Sequence, residues 1–136
     1  MKKLFCCVLL IFVLFVAGCR NEYGTGNVER KSYESLIVGE WELYRYNYYD
    51  GRGGTCNDSY WVFNSDGLGY EYEGNDYVEY FNWRITGSKL TLLFNDGNIN
   101  TWGITSLTDS RMSLKIYYDD EDDIDEEWME YHFRKN

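Results

Sequence analysis

Hydrophobic and polar residues alternate most regularly between Phe81 and Phe94, in the stretch FNWRITGSKLTLLF. If Gly87 and Ser88 are the two central residues of a tight hairpin turn, apolar side chains on one strand lie opposite apolar side chains on the other. The pairs between them are mostly polar, so a single register separates a dry face from a wet one. The pattern predicts a β-hairpin whose inner face pairs Phe81 with Phe94, Trp83 with Leu92 and Ile85 with Leu90.

Turn signals divide the rest of the domain into short runs, and no long helical pattern lies between them. Spacings of roughly 8 to 12 residues between such signals are typical of an all-β meander. We therefore predict strands at roughly 40–49, 59–65, 68–74, 77–86, 89–95, 98–106, 111–119 and 126–134. Sequential antiparallel strands joined by short turns can close on themselves and hide their edges. The prediction is an eight-stranded, antiparallel, up-and-down β-barrel.

Two Asp-Gly pairs, at 66–67 and 96–97, also suit two-residue hairpin turns. The first turn predicts aromatic cross-strand pairs on the inner face: Phe63 with Tyr70 and Trp61 with Tyr72. The second places Ile99 opposite Phe94 and directs two later apolar residues, Trp102 and Ile104, toward solvent. Because those residues suit the inner face better, we expect a β-bulge near Gly103.

The first residues of the chain differ from all that follows. Lys2 and Lys3 precede thirteen apolar residues ending at Val16, and the small residues Ala17 and Gly18 then lead to Cys19. A basic start, an apolar run too short to span a bilayer and small residues before a cut site predict a signal peptide at residues 1–18.

The ending Val-Ala-Gly-Cys resembles the lipobox of bacterial lipoprotein precursors. This resemblance implies cleavage before Cys19 and attachment of lipid to that cysteine, and two or more acyl chains would anchor the protein stably in a membrane. Arg20 provides no acidic retention signal, so the resemblance to lipoprotein sorting implies the outer membrane, in either leaflet. Residues 19–35 are polar and read as a lipidated tether, and residues 36–136 as one barrel domain.

With the signal peptide removed and Cys19 lipidated, Cys56 is the one cysteine left. An exported chain with one such thiol has no internal disulfide, so the barrel must depend on its core. We interpret Cys56 as a bystander in a Gly-rich loop, with pairing to another molecule as the alternative.

Several short motifs in the domain resemble the lipocalin-like domains of small bacterial cell-envelope lipoproteins. They are Gly39-x-Trp41, Phe81-x-Trp83-x-Ile85 with Leu90-x-Leu92, and Tyr131-x-Phe133-Arg134, and the resemblance covers about residues 36–135. It implies that Arg134 packs on Trp41 and closes the barrel floor. The domain is shorter than other lipocalins, and side chains can fill an eight-stranded interior outright, so both a ligand cavity and a filled barrel remain open.

The sequence contains little that indicates catalysis. His132 is the single histidine, which excludes a His-rich metal set, and no nucleophile motif or phosphate-binding loop accompanies it. We therefore expect a protein that is not an enzyme and that needs no cofactor.

Acidic residues dominate the charge. Removal of the signal peptide leaves 11 basic and 23 acidic residues, a net charge of −12, and eight of the acids lie at 119–127 with no base among them. This run predicts a solvated loop between the last two strands; weak divalent cation binding and attraction of a basic protein are the alternatives. The sign of the charge disfavours nucleic acid as a partner.

Tyrosines are abundant on the first strand, at positions 44, 46, 48 and 49. Strand packing, a stacking platform for a sugar or other flat ligand, and a protein interface all explain them.

Two functions follow from the whole sequence. The first is a lipocalin-like module that binds a small apolar or aromatic ligand. The second is an interaction or inhibitor-type protein with a filled barrel, which docks a basic or envelope partner through the acidic loop.

Overall fold

The computed structural model describes residues 31–75, 77–118 and 127–136. In these ranges the chain forms one short helix and nine strands, and no helix there is long and apolar enough to cross a membrane. The elements are α1 (Tyr33–Ile37), β1 (Gly39–Tyr48), β2 (Gly53–Thr55), β3 (Ser59–Phe63), β4 (Leu68–Glu73), β5 (Tyr77–Thr86), β6 (Lys89–Phe94), β7 (Ile99–Leu107), β8 (Arg111–Tyr118) and β9 (Glu127–Lys135).

Eight of the strands form a closed antiparallel barrel, which confirms the predicted fold class. Strands β3 to β9 pair in sequence order, and β1 lies between β3 and β9 and closes the sheet. The ninth strand, β2, was not predicted. It pairs with the second half of β1, where Arg45–Asn47 face Gly53–Thr55, because the glycines allow the chain to return close to the β1 backbone.

The β5–β6 hairpin has the register that its alternating pattern predicts, with Phe81, Trp83 and Ile85 opposite Phe94, Leu92 and Leu90. Gly87 has a φ of +61°, as the two-residue turn requires. Phe81 and all three β6 residues of these pairs are buried. Trp83 and Ile85 are only partly buried, because they lie near the end of the barrel and pack against the core from there.

Both Asp-Gly turns differ from the prediction in the same way. Each is a three-residue loop: the Asn64 amide donates to the Leu68 carbonyl, and the Phe94 amide donates to the Asn98 carbonyl. In each, the glycine has a positive φ, of +85° at Gly67 and +91° at Gly97. The extra loop residue shifts both registers by one position, so the side chains predicted for the two faces are exchanged.

Because of the shift, the residues that lie opposite each other differ from those predicted. Phe63 lies opposite Gly69 and Trp61 opposite Glu71, while Tyr70 and Tyr72 lie on the outer face. On β7, Ile99 pairs with Leu93 and is 64% exposed. Trp102 and Ile104 are consequently buried without a bulge at Gly103, and the irregularity in β7 lies between Ile104 and Ser106, in its pairing with β8.

Gly69 makes room for the aromatic core. It lies between Phe63 on β3 and Phe81 on β5, and a Cβ atom at this position would lie 2.3 Å from Phe81 Cε2. The ring centroids of the two phenylalanines are therefore 5.6 Å apart although a strand separates them. Phe81 extends this cluster to Phe94, whose centroid lies at 5.7 Å.

Lys135, rather than Arg134, closes the barrel floor together with Trp41. The buried Trp41 ring donates its Nε1 hydrogen to the Ile37 carbonyl at 2.7 Å. Lys135 is the Cα partner of Trp41; its Nζ lies 4.9 Å from the Trp41 ring and donates to the Leu36 carbonyl at 2.9 Å. Arg134 is one residue away on a strand and so points outward, where its guanidinium pairs with Glu42.

The helix α1 belongs to the barrel unit, although the sequence analysis assigned residues up to 35 to the tether. Ser32 caps it by accepting a hydrogen bond from the Ser35 amide. Ile37 at its end is fully buried in the core. The compact unit therefore begins at Lys31, five residues before the predicted boundary at 36.

The β6 strand allows a matched test of which face is buried. Leu92 has no exposed surface, whereas 42% of the neighbouring Leu93 is exposed. Leu92→Ala should lower the free energy of unfolding by about 2 to 5 kcal/mol, since it leaves a core cavity, and Leu93→Ala by less than ~1 kcal/mol. Urea titration of both variants measures this, and equal losses would contradict the inward placement of Leu92.

Candidate ligand-binding cavity

The barrel end opposite α1 contains a cavity of about 580 Å³ that opens to solvent. The β1 strand begins at the floor and ends at this opening, as do β4, β6 and β8, whereas β3, β5, β7 and β9 run from the opening to the floor. Core residues such as Trp61, Trp102 and Met129 form its base. The residues Cys56–Asp58, which join β2 to β3, form part of the rim together with Ser59, the first residue of β3.

A bulge in β1 brings tyrosines to the cavity wall. The pairing of β1 with β9 shifts between Leu43 and Arg45, so two successive residues lie on the outer face. Tyr46 and Tyr48 consequently share the inner face with Leu43 and line the cavity. Tyr44 remains outside, where the Arg111 guanidinium lies 5.2 Å from its ring. Tyr44 therefore shares no stacking platform with Tyr46 and Tyr48.

Two glutamates extend inward from neighbouring strands. Glu71 on β4 lies opposite Trp61 on one side and Glu79 on the other, so all three side chains share the inner face. Burial raises the pKa of Glu71 to about 7, and the charge of Glu79 and a hydrogen bond to it contribute further. Tyr77 donates a hydrogen bond to Glu79 at 2.8 Å. The cavity wall therefore holds a carboxyl group that keeps its proton to higher pH than an ordinary glutamate does.

Two hydrogen-bond donors accompany the acids on the wall. Burial raises the pKa of Tyr131 to about 12, so its hydroxyl stays protonated. Trp102 is 4% exposed, and its buried Nε1–H has no hydrogen-bond partner in the part of the chain that the structure describes. The ring centroids of Trp102 and Tyr131 lie 5.0 Å apart. Buried N–H groups usually have an acceptor, so an indole without one is a notable feature of a cavity wall.

Cys56 also lines the cavity. Its thiol is partly buried and packs against the core, and burial raises its pKa, with the charge of Glu73 adding to the effect. The thiolate is the reactive form of cysteine, so this thiol is less reactive than an exposed one at neutral pH. That environment agrees with its interpretation as a bystander in chemistry.

His132 lies outside the barrel, within a hydrogen-bonded group on β1, β8 and β9. Arg45 Nε donates to Asn47 Oδ1 at 3.2 Å, which directs Asn47 Nδ2 toward His132 Nε2 at 2.9 Å. An amide nitrogen only donates, so Nε2 accepts, and the Nδ1–H donates to Ser113 Oγ at 2.9 Å. In this tautomer the imidazole takes no proton from Ser113, so the pair is not arranged as a base and a nucleophile.

The remaining predictions concern the lipidated cysteine, the acidic run and metal binding. Cys19 and residues 119–126 lie outside the described residues. Glu127, the last acid of the run, accepts a hydrogen bond from Tyr49 at 2.7 Å. No set of three or more His, Cys, Asp or Glu side chains within the described ranges is arranged to hold a metal ion.

Sequence reasoning missed the acids of the cavity because it placed them on the wrong face. The strand LGYEYE alternates regularly, and the assumed two-residue turn directed its tyrosines inward and its glutamates outward. The three-residue loop reverses this assignment. The residue that could have revealed the correct face is Gly69, since an inward glycine opposite two phenylalanines accommodates their rings, whereas an outward glycine has no such purpose.

Comparison with known proteins agrees with this architecture. The profile of the lipocalin-like domain matches residues 37–114, which is more than half of the chain. The chain belongs to the lipocalin-like domain family. No curated protein matches it.

Two solved structures resemble this lipocalin-like protein. An uncharacterized protein from Bacteroides eggerthii DSM 20697 superposes with a TM-score of 0.59 and 18% identity, covering 74% of this chain and 99% of that one. A lipocalin-like protein from Bacteroides uniformis ATCC 8492 gives a TM-score of 0.56 and 20% identity, covering 74% and 98%. At these identities the likeness establishes the fold of the barrel and not its ligand.

The raised pKa of Glu71 predicts how stability depends on pH. A carboxyl group whose pKa rises from 4.5 to about 7 on folding binds more protons in the folded state between these values. Its contribution therefore destabilises the fold as pH rises from about 4.5 to about 7. Glu71→Gln should match the wild type near pH 4.5 and exceed it by on the order of 2 kcal/mol at pH 8.

Urea titrations at several pH values measure this difference. Glu34→Gln is the matched control, because Glu34 is an exposed glutamate on α1 at the floor end, and it should show no such dependence on pH. A Glu71→Gln gain that is the same at pH 4.5 and pH 8 would show that Glu71 is not held in a desolvated site.

Proposed function

We propose that this protein is a cell-envelope lipoprotein whose lipocalin-like barrel binds a small ligand with apolar or aromatic character, without catalysis. The open cavity of about 580 Å³ is the observation that carries the proposal. Ligand pockets in proteins commonly have volumes of roughly 300 to 1,000 Å³. A filled barrel, which the second function requires, leaves no such space.

The residues around the cavity support binding as its role. Aromatic rings from β1, β3, β7, β8 and β9 surround it, and polar side chains such as Asp58, Glu71 and Asn100 share the wall with them. Such a wall contacts a flat ligand over a large area and fixes its orientation with a small number of hydrogen bonds. The barrel carries its core at the floor end, so the cavity can be occupied or empty without a change in strand pairing.

Occupation of the cavity can be tested with a neutral fluorescent reporter, N-phenyl-1-naphthylamine, whose emission rises in apolar surroundings. Asn100→Trp should abolish binding, because Asn100 lines the cavity and a larger ring there fills it. Thr101→Trp is the matched control, since Thr101 is the next residue on β7 and is exposed on the outer face. Equal binding by both variants would place the reporter elsewhere on the protein and contradict the proposal.

Anchoring of the barrel to the outer membrane is the second part of the proposal, and it rests on the lipobox resemblance at Cys19. We expect Cys19→Ala to move the protein from the detergent phase to the aqueous phase in detergent partitioning, because the acylated cysteine would be absent. Intact mass of the wild type should show cleavage before residue 19 and added acyl chains. Cys56→Ala is the control and should partition as the wild type does; partitioning of Cys19→Ala into detergent would argue against lipidation.

A further inference from the structure

The described wall of the cavity carries charge of one sign. Asp58, Glu71 and Glu73 line it, and no lysine or arginine does. Glu79 adds a fourth carboxyl group beside Glu71. A carboxylate that is removed from water normally has a basic partner or loses its charge. This cavity therefore holds acidic groups in excess of the positive charge available to them on its described wall.

Basic side chains on neighbouring elements are already engaged elsewhere. Arg52 forms an ion pair with Asp50 beyond the end of β1, and Arg134 pairs with Glu42 on the outer face. Lys135 is held at the floor by the Leu36 carbonyl. Lys115 lies on the outer face, with its Nζ 3.9 Å from the centroid of the Trp128 ring. None of these four groups can neutralise Glu71 without leaving its present partner.

The aromatic side chains of the wall also favour a positively charged ligand. The faces of tryptophan and tyrosine rings attract organic cations, and the attraction strengthens where water is excluded. Trp61 is the Cα partner of Glu71, so a ring and a carboxyl group lie side by side at the base of the cavity. Trp102 and Tyr131 stand beside Trp61, with ring centroids 5.6 and 6.1 Å from it.

We propose that the cavity binds a small, flat organic cation, in which an amine is attached to a ring or short apolar body. The amine pairs with Glu71 and Glu79, and the apolar body lies among Trp61, Trp102 and Tyr131. This inference rests on the proposed function, because it specifies the ligand class of the same cavity. A neutral ligand would leave the carboxyl groups without a counter-charge, and an anion would add to their repulsion.

Binding of such a cation should depend on pH. The titratable groups around Glu71 are Glu79 from β5, Glu73 from its own strand, and Asp58, Cys56 and Tyr131 on the same cavity wall. Burial and the charges of Glu79 and Glu73 favour the protonated form of Glu71 when the cavity is empty. A bound cation favours the ionised form instead, and affinity should therefore rise between pH 6 and pH 8.

A series of three indoles of nearly equal shape separates charge from apolar contact: tryptamine is a cation, tryptophol is neutral and indole-3-propionate is an anion. Each displaces N-phenyl-1-naphthylamine from the full-length protein at pH 8, and the concentration for half displacement is compared. We expect tryptamine to be effective at a concentration about tenfold lower than tryptophol, and indole-3-propionate to be the weakest. The advantage of tryptamine should shrink at pH 6.

Two variants assign the preference to the cavity acids. Glu71→Gln should bring tryptamine close to tryptophol and leave tryptophol unchanged. Glu34→Gln removes the same charge from α1 at the floor end and should leave the tenfold preference intact.

The outcomes separate this inference from the proposed function. If the reporter binds but tryptophol or the anion displaces it as well as tryptamine, or tryptamine fails to displace it, the ligand class is wrong and the cavity remains a binding site. A preference that survives Glu71→Gln also overturns the inference. If the reporter does not bind at all, the proposed function fails, and the inference fails with it.

Discussion

The pairing of β1 with β9 is the constraint on which the rest of the molecule depends, because it joins the first and last strands and leaves the barrel without an edge. The same pairing contains the bulge at Tyr44 and Arg45. Below the bulge, the inner face of β1 carries Trp41 and Leu43, which are buried. Above it, the extra residue restores the inward direction for Tyr46 and Tyr48, which are too large and too polar for a closed core. One irregularity therefore separates a filled segment of the strand from a segment that faces a cavity.

Different kinds of side chain fill the two ends of the barrel. At the floor, α1, Lys135 and the aromatic cluster around Phe81 fill the interior, and the polar atoms of Trp41 and Lys135 have carbonyl partners. At the opening, carboxyl groups and tyrosines line the space, and the buried N–H of Trp102 has no hydrogen-bond partner among the described residues. A buried polar group without a partner lowers stability. The packed side chains and paired polar atoms of the floor end therefore stabilise the barrel more than the side chains at the opening do.

The sequence predicts the architecture well and the cavity poorly, for reasons that can be traced to particular residues. Strand positions and the β5–β6 register follow from alternation and from a turn, Gly87-Ser88, that has only one plausible length. The two Asp-Gly turns are compatible with loops of two or three residues, and alternation alone cannot choose between them, because LGYEYE has large side chains on one face and acids on the other. The floor contact shifts from Arg134 to Lys135 for a related reason: a resemblance identifies a type of contact, while the pairing register determines which side chain makes it.

Gly69 links the packed floor to the open end. A side chain there would meet both the Phe81 ring and the Val62 carbonyl, and only the ring is free to move. Phe81 is in contact with Trp61 and Phe94, which line the base of the cavity. Any residue larger than glycine would therefore press on a ring that packs against the base of the cavity. The packing beneath the cavity thus depends on the absence of one side chain, on a strand that contributes no apolar residue of its own to the core.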